Sequence, residues 1–332
     1  MFAFAGALVN CGNDHTSGLT SQFAFLRWSG SGGTVMSAAQ RHFQTERRQA
    51  FQKSRHVREG SGLKSWAYST TSGNSVVLMN NDGTGEMVIA DQSGWFEDVQ
   101  ESSDGLKGVG IAEDDNGWYQ VFYADLSDKK NPKVAQLTTT NEDHWSASIS
   151  PDAKKVVYVK GVMSGDFELG QAFIMSTAGG SETQINTSFN VSTPTFTPDG
   201  KILFEQEDTD AIATMNPDGT GYQQLTNPDH AYFDEYPAIS HDGKTIVFSR
   251  YPATESGGED IWIAKSDGTN GKQLTTEGKS WDPMFVNDKI VFVSWRDTVT
   301  SGSPEEIYSM SLDGTNQKRL TNNTLYECFD DW

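Results

Sequence analysis

Residues 240–275 read SHDGKTIVFSRYPATESGGEDIWIAKSDGTNGKQLT, and this stretch decides the fold. The turn HDGK leads into a β-branched and aromatic run, TIVFSR. A second run, IWIAK, ends in the turn SDGT, and a short segment then closes on Leu274 and Thr275. Apolar runs of four to six residues, rich in Val, Ile and aromatics and bounded by turn residues, form strands. Asp-Gly at each tip supplies the positive φ that a tight hairpin turn demands. The stretch therefore encodes antiparallel strands joined by short turns, and it shows no helical period.

Both phrases recur along the chain. The first appears as SPDAKKVVYVK (150–160), TPDGKILFEQ (197–206) and VNDKIVFVSW (286–295), with a weaker copy SSDGLKGVGIA (102–112). Its Asp residues stand at 104, 152, 199, 242 and 288, in steps of 48, 47, 43 and 46. The second appears as VVLMNNDGTGEMVI (76–89), FIMSTAGGSETQI (173–185), IATMNPDGTGYQQLT (212–226) and IYSMSLDGTNQKRLT (307–321). A variant with a longer turn occupies 121–138. Two hairpins per unit make four antiparallel strands, and tandem units of this length read as propeller blades. The expected fold is all-β, a six-bladed propeller of four-stranded antiparallel blades. In this reading 22–28 supplies a second strand and 75–89 the third and fourth strands of the first blade. The segment YECFDDW (326–332) joins the same blade, so strands from both ends of the chain close the ring. Residues 1–20 are a leader, 21–332 form one propeller, and 29–74 is an insertion within its first blade.

The phrases xPxxSxDGKxIxF and IWxMxxDGTxxxQLT resemble those of the TolB-like β-propeller family over most of residues 75–332. The likeness does not extend to the N-terminal α/β domain that TolB proteins carry. It implies an exported protein, periplasmic or associated with the outer membrane, that binds protein partners through a propeller face or serves as a scaffold. Some relatives are enzymes, so the fold alone leaves activity open.

Composition narrows the function classes. The chain carries 25 Lys+Arg against 45 Asp+Glu, a formal net charge of −20 over 332 residues. Such an acid excess argues against nucleic-acid binding, which needs clustered cations. No apolar run approaches the ~20 residues of a spanning helix. Two cysteines exclude a disulfide framework. The apolar start MFAFAGALV before Cys11 resembles a lipoprotein leader, although it lacks a basic n-region. Lipidation of Cys11 is the expected membrane contact. The segment 41–64 holds seven Lys/Arg and two Glu, a local net of +5 that leaves −25 on the rest. It reads as a basic arm for an acidic surface, as a disordered loop, or as non-native sequence.

Innermost strands line the channel of such a propeller, so residues that open them gather at one mouth. These are Glu97 and Asp98, Asp143 and His144, Ser192 and Thr193, Asp234 and Glu235, Asp282, and Asp330 and Asp331, with Trp145, Tyr236 and Trp281 beside them. Converging carboxylates make a negative focus that favours a basic peptide segment or a cation, and oxygen ligands of this kind suit Ca²⁺. Nucleophile-elbow, HExxH and Walker A motifs are absent. The expected function is non-catalytic: a monomer binding a protein partner with a basic segment in the cell envelope, with no required cofactor. Two alternatives fit the same residues. One is a carbohydrate-active or sugar-binding propeller, since acids beside Trp suit sugar chemistry. The other is an extracellular structural or adhesion subunit that uses its outer faces.

Overall fold

A computed structural model describes residues 65–70, 75–80, 87–91, 96–102, 106–114, 116–128, 133–164, 167–186, 188–227, 229–253, 258–297 and 306–320. The leader, Cys11, the strand expected at 22–28, the basic segment 41–64, Asp330, Asp331 and the closing segment 326–332 lie outside the described residues. Every regular element described is a β-strand.

The first sheet has three strands: β1 (Ser65–Thr70), β2 (Ser75–Asn80) and β3 (Met87–Asp91). Five four-stranded antiparallel blades follow. Blade I holds β4 (Phe96–Glu101), β5 (Lys107–Glu113), β6 (Tyr119–Asp125) and β7 (Lys133–Gln136). Blade II holds β8 (His144–Ile149), β9 (Lys155–Ser164), β10 (Phe167–Ser176) and β11 (Thr183–Gln184). Blade III holds β12 (Val191–Phe196), β13 (Ile202–Gln206), β14 (Ala211–Met215) and β15 (Gln223–Gln224). Blade IV holds β16 (Tyr232–Ile239), β17 (Thr245–Pro252), β18 (Asp260–Lys265) and β19 (Lys272–Gln273). Blade V holds β20 (Ser280–Val286), β21 (Lys289–Ser294), β22 (Glu306–Ser311) and β23 (Lys318–Arg319).

The molecule is thus an all-β propeller, with five four-stranded blades where the repeat count led us to expect six. The difference lies in the first unit. There β1 falls inside 29–74, the stretch read as an insertion, and pairs with β2 from Ser65↔Asn80 to Thr70↔Ser75. It packs against β4 as β5 packs against β8, and so holds the second-strand place that the sequence reading gave to 22–28. The alternating SWAYST is a competent strand, but the polar, basic residues before it mask the pattern.

Innermost strands of successive blades touch one another, from β4 to β8, β12, β16 and β20. The core lies in the seams between blades. Val109, Ile111 and Val121 of blade I meet Val156 and Tyr158 of blade II. Trp145, Val157 and Val159 of blade II meet Ile202, Phe204 and Met215 of blade III. Successive residues of a strand point to opposite faces, so each second strand must be apolar on both sides, which explains the unbroken VVYV, ILF, IVF and IVFV runs.

Local chemistry also accounts for the signature residues. Thr138, Thr226 and Thr275 Oγ1 accept the N–H groups of Val121, Ile212 and Ile261. The Leu-Thr ending thus continues the ladder where the outer strand stops. Asp218, Asp267 and Asp313 Oδ1 each accept the N–H and hydroxyl of the Thr two residues on. These are Asx turns, which hold the carboxyl groups of all three acids below the usual range. The D-G-T acids are therefore committed to folding.

Candidate functional site

One end of the molecule is built from the connectors that join second to third strands and one blade to the next; every innermost strand begins there. Its described connectors carry Asp114, Glu142, Asp143, Glu207, Asp208, Asp210, Asp229, Glu259, Glu277 and Asp297 against Lys279 and Arg296. At the opposite end the hairpins interleave the signs: Asp152 with Lys154, Asp199 with Lys201, Asp242 with Lys244. Lys107, Lys155, Lys265, Lys272 and Lys289 stand at strand ends there. The acid excess is thus concentrated at the end where the sequence placed the mouth.

Each innermost strand carries a β-bulge in which two residues face one on the second strand. The register breaks between Glu97 and Gln100, Trp145 and Ser148, Ser192 and Thr195, Glu235 and Ala238, and Trp281 and Met284. Ser146, Thr193, Tyr236 and Asp282 open their bulges at φ of 52, 46, 53 and 47°. Positive φ is costly for non-glycine residues, most of all for β-branched Thr193. Neighbouring blades help hold the distortion: Ser249 Oγ accepts the Asp282 N–H at 3.0 Å, Ser148 Oγ that of Phe196 at 3.1 Å, and Gln100 Oε1 that of Ile149 at 2.7 Å.

These bulges set the true register of the sequence-derived site. Asp98, Tyr236 and Asp282 occupy the opening position of their bulges. Glu97, Trp145, Glu235 and Trp281 stand one residue earlier, His144 and Asp234 two, and Asp143 three. The acids therefore do not all stand at one equivalent position of their strands. Several are also spent inside the protein. Asp234 is fully buried and takes a two-pronged bond from Arg250, Nε to Oδ1 at 2.5 Å and Nη2 to Oδ2 at 2.7 Å. Asp143 Oδ1 accepts the Tyr119 N–H at 3.0 Å. Glu235 accepts the Tyr251 hydroxyl at 2.8 Å. Trp145 and Trp281 are buried, and Trp145 belongs to the blade II/III core.

His144 is 1% exposed. Its Nδ1 lies 3.0 Å from the Tyr119 carbonyl, which can only accept, so Nδ1 carries the proton. Burial holds the imidazole below its ordinary pKa. Beside it, Tyr158 donates to Glu182 Oε2 at 2.6 Å, and burial with this carboxylate pushes the phenol well above its usual value. Lys160 bridges Glu182 and, at 3.2 Å, Glu142.

Lys160, Arg250 and Arg296 cap aromatic rings at the seams, and sequence reasoning missed them. Lys160 lies 4.6 Å from the Phe173 ring centroid. Arg250 lies 4.7 Å from Tyr232, 5.1 Å from Phe248 and 4.7 Å from Trp262. Arg296 lies 5.1 Å from Phe292 and 5.0 Å from Tyr308, with Glu277 at 3.7 Å. The available signal was positional: Lys160 and Arg250 each follow the seam aromatic of a second strand by two residues. Among the described residues, no group of three or more His, Cys, Asp or Glu is arranged to hold a metal ion.

No protein-family model and no curated protein sequence matches the chain. Solved structures do share its fold. TolB from Acinetobacter baumannii is 17% identical with a TM-score of 0.64, over 80% of this chain and 65% of that one. This chain thus spans just under two thirds of that protein. A TolB from Agrobacterium tumefaciens is 21% identical with a TM-score of 0.59, over 76% of this chain and 90% of that one. The oligogalacturonate lyase of Vibrio parahaemolyticus is 12% identical with a TM-score of 0.56, over 80% and 77%. At these identities the likeness establishes the propeller fold.

Proposed function

We propose that this chain is an exported, non-catalytic TolB-like propeller of the bacterial cell envelope that binds a protein partner bearing a basic segment. The observation that carries this reading is the unequal charge of the two ends. Acids dominate the connectors where the innermost strands begin, whereas Lys and Asp alternate at the other end. A one-signed surface steers and holds a partner of opposite sign. The inward acids support binding over catalysis, because Asp234, Glu235 and Asp143 are paired within their blades or across a seam and do not converge on one pocket. An oligogalacturonate is itself a polyanion, and an acidic end disfavours it.

In this reading Glu142, Asp229 and Glu277, all exposed, form the recognition surface with their neighbours, and lipidation of Cys11 provides the membrane contact. The test is titration with a short Lys- and Arg-rich peptide by calorimetry at several salt concentrations. The parent should bind, and binding should weaken steeply with salt. The triple variant Glu142→Lys, Asp229→Lys, Glu277→Lys should lose the interaction. Asp128→Lys with Asp288→Lys, at the opposite end, should retain it. Equal binding by the triple variant, or equal loss at the opposite end, sinks the proposal.

A further inference from the structure

Blades II to V place one aromatic at the same point, opposite the bulge: Tyr158, Phe204, Phe248 and Phe292. In blades II, IV and V the third strand sets a second ring across from it, Phe173, Trp262 or Tyr308. Each of these ring pairs seats a cation of the chain itself, Lys160, Arg250 or Arg296, and each cation is paired with a carboxylate. Blade III departs from this scheme. Ala213 stands where the others carry the second ring, and Gln206 stands where Lys160 and Arg250 stand. Among the described residues, no Lys or Arg lies over the rings of this seam.

The space left by Ala213 is filled from elsewhere. Phe189, in the connector from blade II to blade III, stacks on Phe204 at 5.7 Å and 3°. Tyr222 tilts against Phe189 at 5.2 Å and donates its hydroxyl to Gln206. Phe189 is half-buried and Tyr222 is 42% exposed. A carboxylate is fixed to the residue that follows Phe189. Exposed Asp208 accepts both the N–H and the side-chain amide of Asn190, the residue after Phe189, at 2.6 and 3.0 Å. Rings plus a held carboxylate are what seat Arg250 in the seam between blades III and IV.

We infer that Phe189 and Tyr222, at the seam between blades II and III, together with Asp208 held on Asn190, receive a Lys or Arg side chain from the basic partner. The inference rests on the binding role proposed above and names the group that is recognised. The molecule's other seams show which chemistry this geometry suits, and the charge of Asp208 gives the sign. A cation over such rings gains from their quadrupole, and the paired carboxylate completes the fit.

The experiment compares an arginine-rich peptide with its citrulline counterpart, which keeps the shape and loses the charge. Parent protein should bind the arginine peptide and discriminate against citrulline. Tyr222→Leu should weaken the arginine peptide about three- to fivefold, the scale of an exposed cation–π contact, whereas Tyr222→Phe, which keeps the ring, should bind as the parent does. Asp208→Asn should weaken it similarly. Parent-like binding by both Tyr222→Leu and Asp208→Asn, with loss in the Glu142/Asp229/Glu277 triple variant, overturns this assignment and leaves the proposed function standing. Failure of the parent to prefer arginine overturns both.

Discussion

Asp234 shows how neighbours outweigh the place of a side chain in a motif. It is the third residue of innermost strand β16, near where a mouth acid should stand, yet it is fully buried and held by Arg250, whose guanidinium lies among Tyr232, Phe248 and Trp262. Taking one member of a buried pair away leaves the other charged and unpaired, at a cost of roughly 3–5 kcal/mol. Asp234→Ala should therefore lower stability by that amount in urea unfolding. Asp229→Ala, five residues earlier and exposed, should change it by less than about 0.5 kcal/mol. A parent-like midpoint for Asp234→Ala would show that the pair contributes nothing. Arg250 was legible only as a cation near a strand end. That it meets Asp234 follows from the antiparallel register Asp234↔Arg250, a non-local pairing.

Turns joining third to fourth strands do more than reverse the chain. Gly268 sits at φ 82°, and a Cβ there would lie 2.0 Å from the Leu225 carbonyl oxygen of the preceding blade. Gly219 stands in the same relation to Ile185. The glycine of D-G-T therefore permits both the turn and the close approach of one blade to the next. Gly200, in a hairpin joining first to second strands, has a similar φ of 83° but nothing within 4 Å of an added Cβ. Gly200→Ala should cost about 1–2 kcal/mol for the left-handed conformation alone. Gly268→Ala should cost about 1–3 kcal/mol more, because a backbone contact must also give way. Chemical denaturation of the two variants measures the difference, and equal losses would refute the seam role of Gly268. The sequence marks both glycines as turn residues; which one also abuts a neighbour depends on how the blades stack.

Among the described residues, acids without compensating cations accumulate at one end of a chain with net charge −20. Like charges on one surface repel, and salt screens them within about 10 Å at 0.1 M. The melting temperature should rise as salt is raised from low ionic strength to about 0.15 M, and the Glu142/Asp229/Glu277 charge-reversal variant should show a smaller rise. A melting temperature independent of salt in both would mean that the acidic end exerts no such strain. The repeat alone established an all-β propeller, because Asp-Gly turns and apolar runs act within a few residues of themselves. It also located the end at which every innermost strand begins, since strand direction follows from the order of hairpins. Tertiary structure decided the rest. It set five four-stranded blades where six were expected, with β1 in the place of a distant segment, because strand pairing is a competition among alternatives anywhere in the chain. It also buried Trp145, Trp281 and Asp234 and left Tyr222 and Asp208 exposed. Burial depends on what a neighbouring blade presents, and no single repeat contains that information.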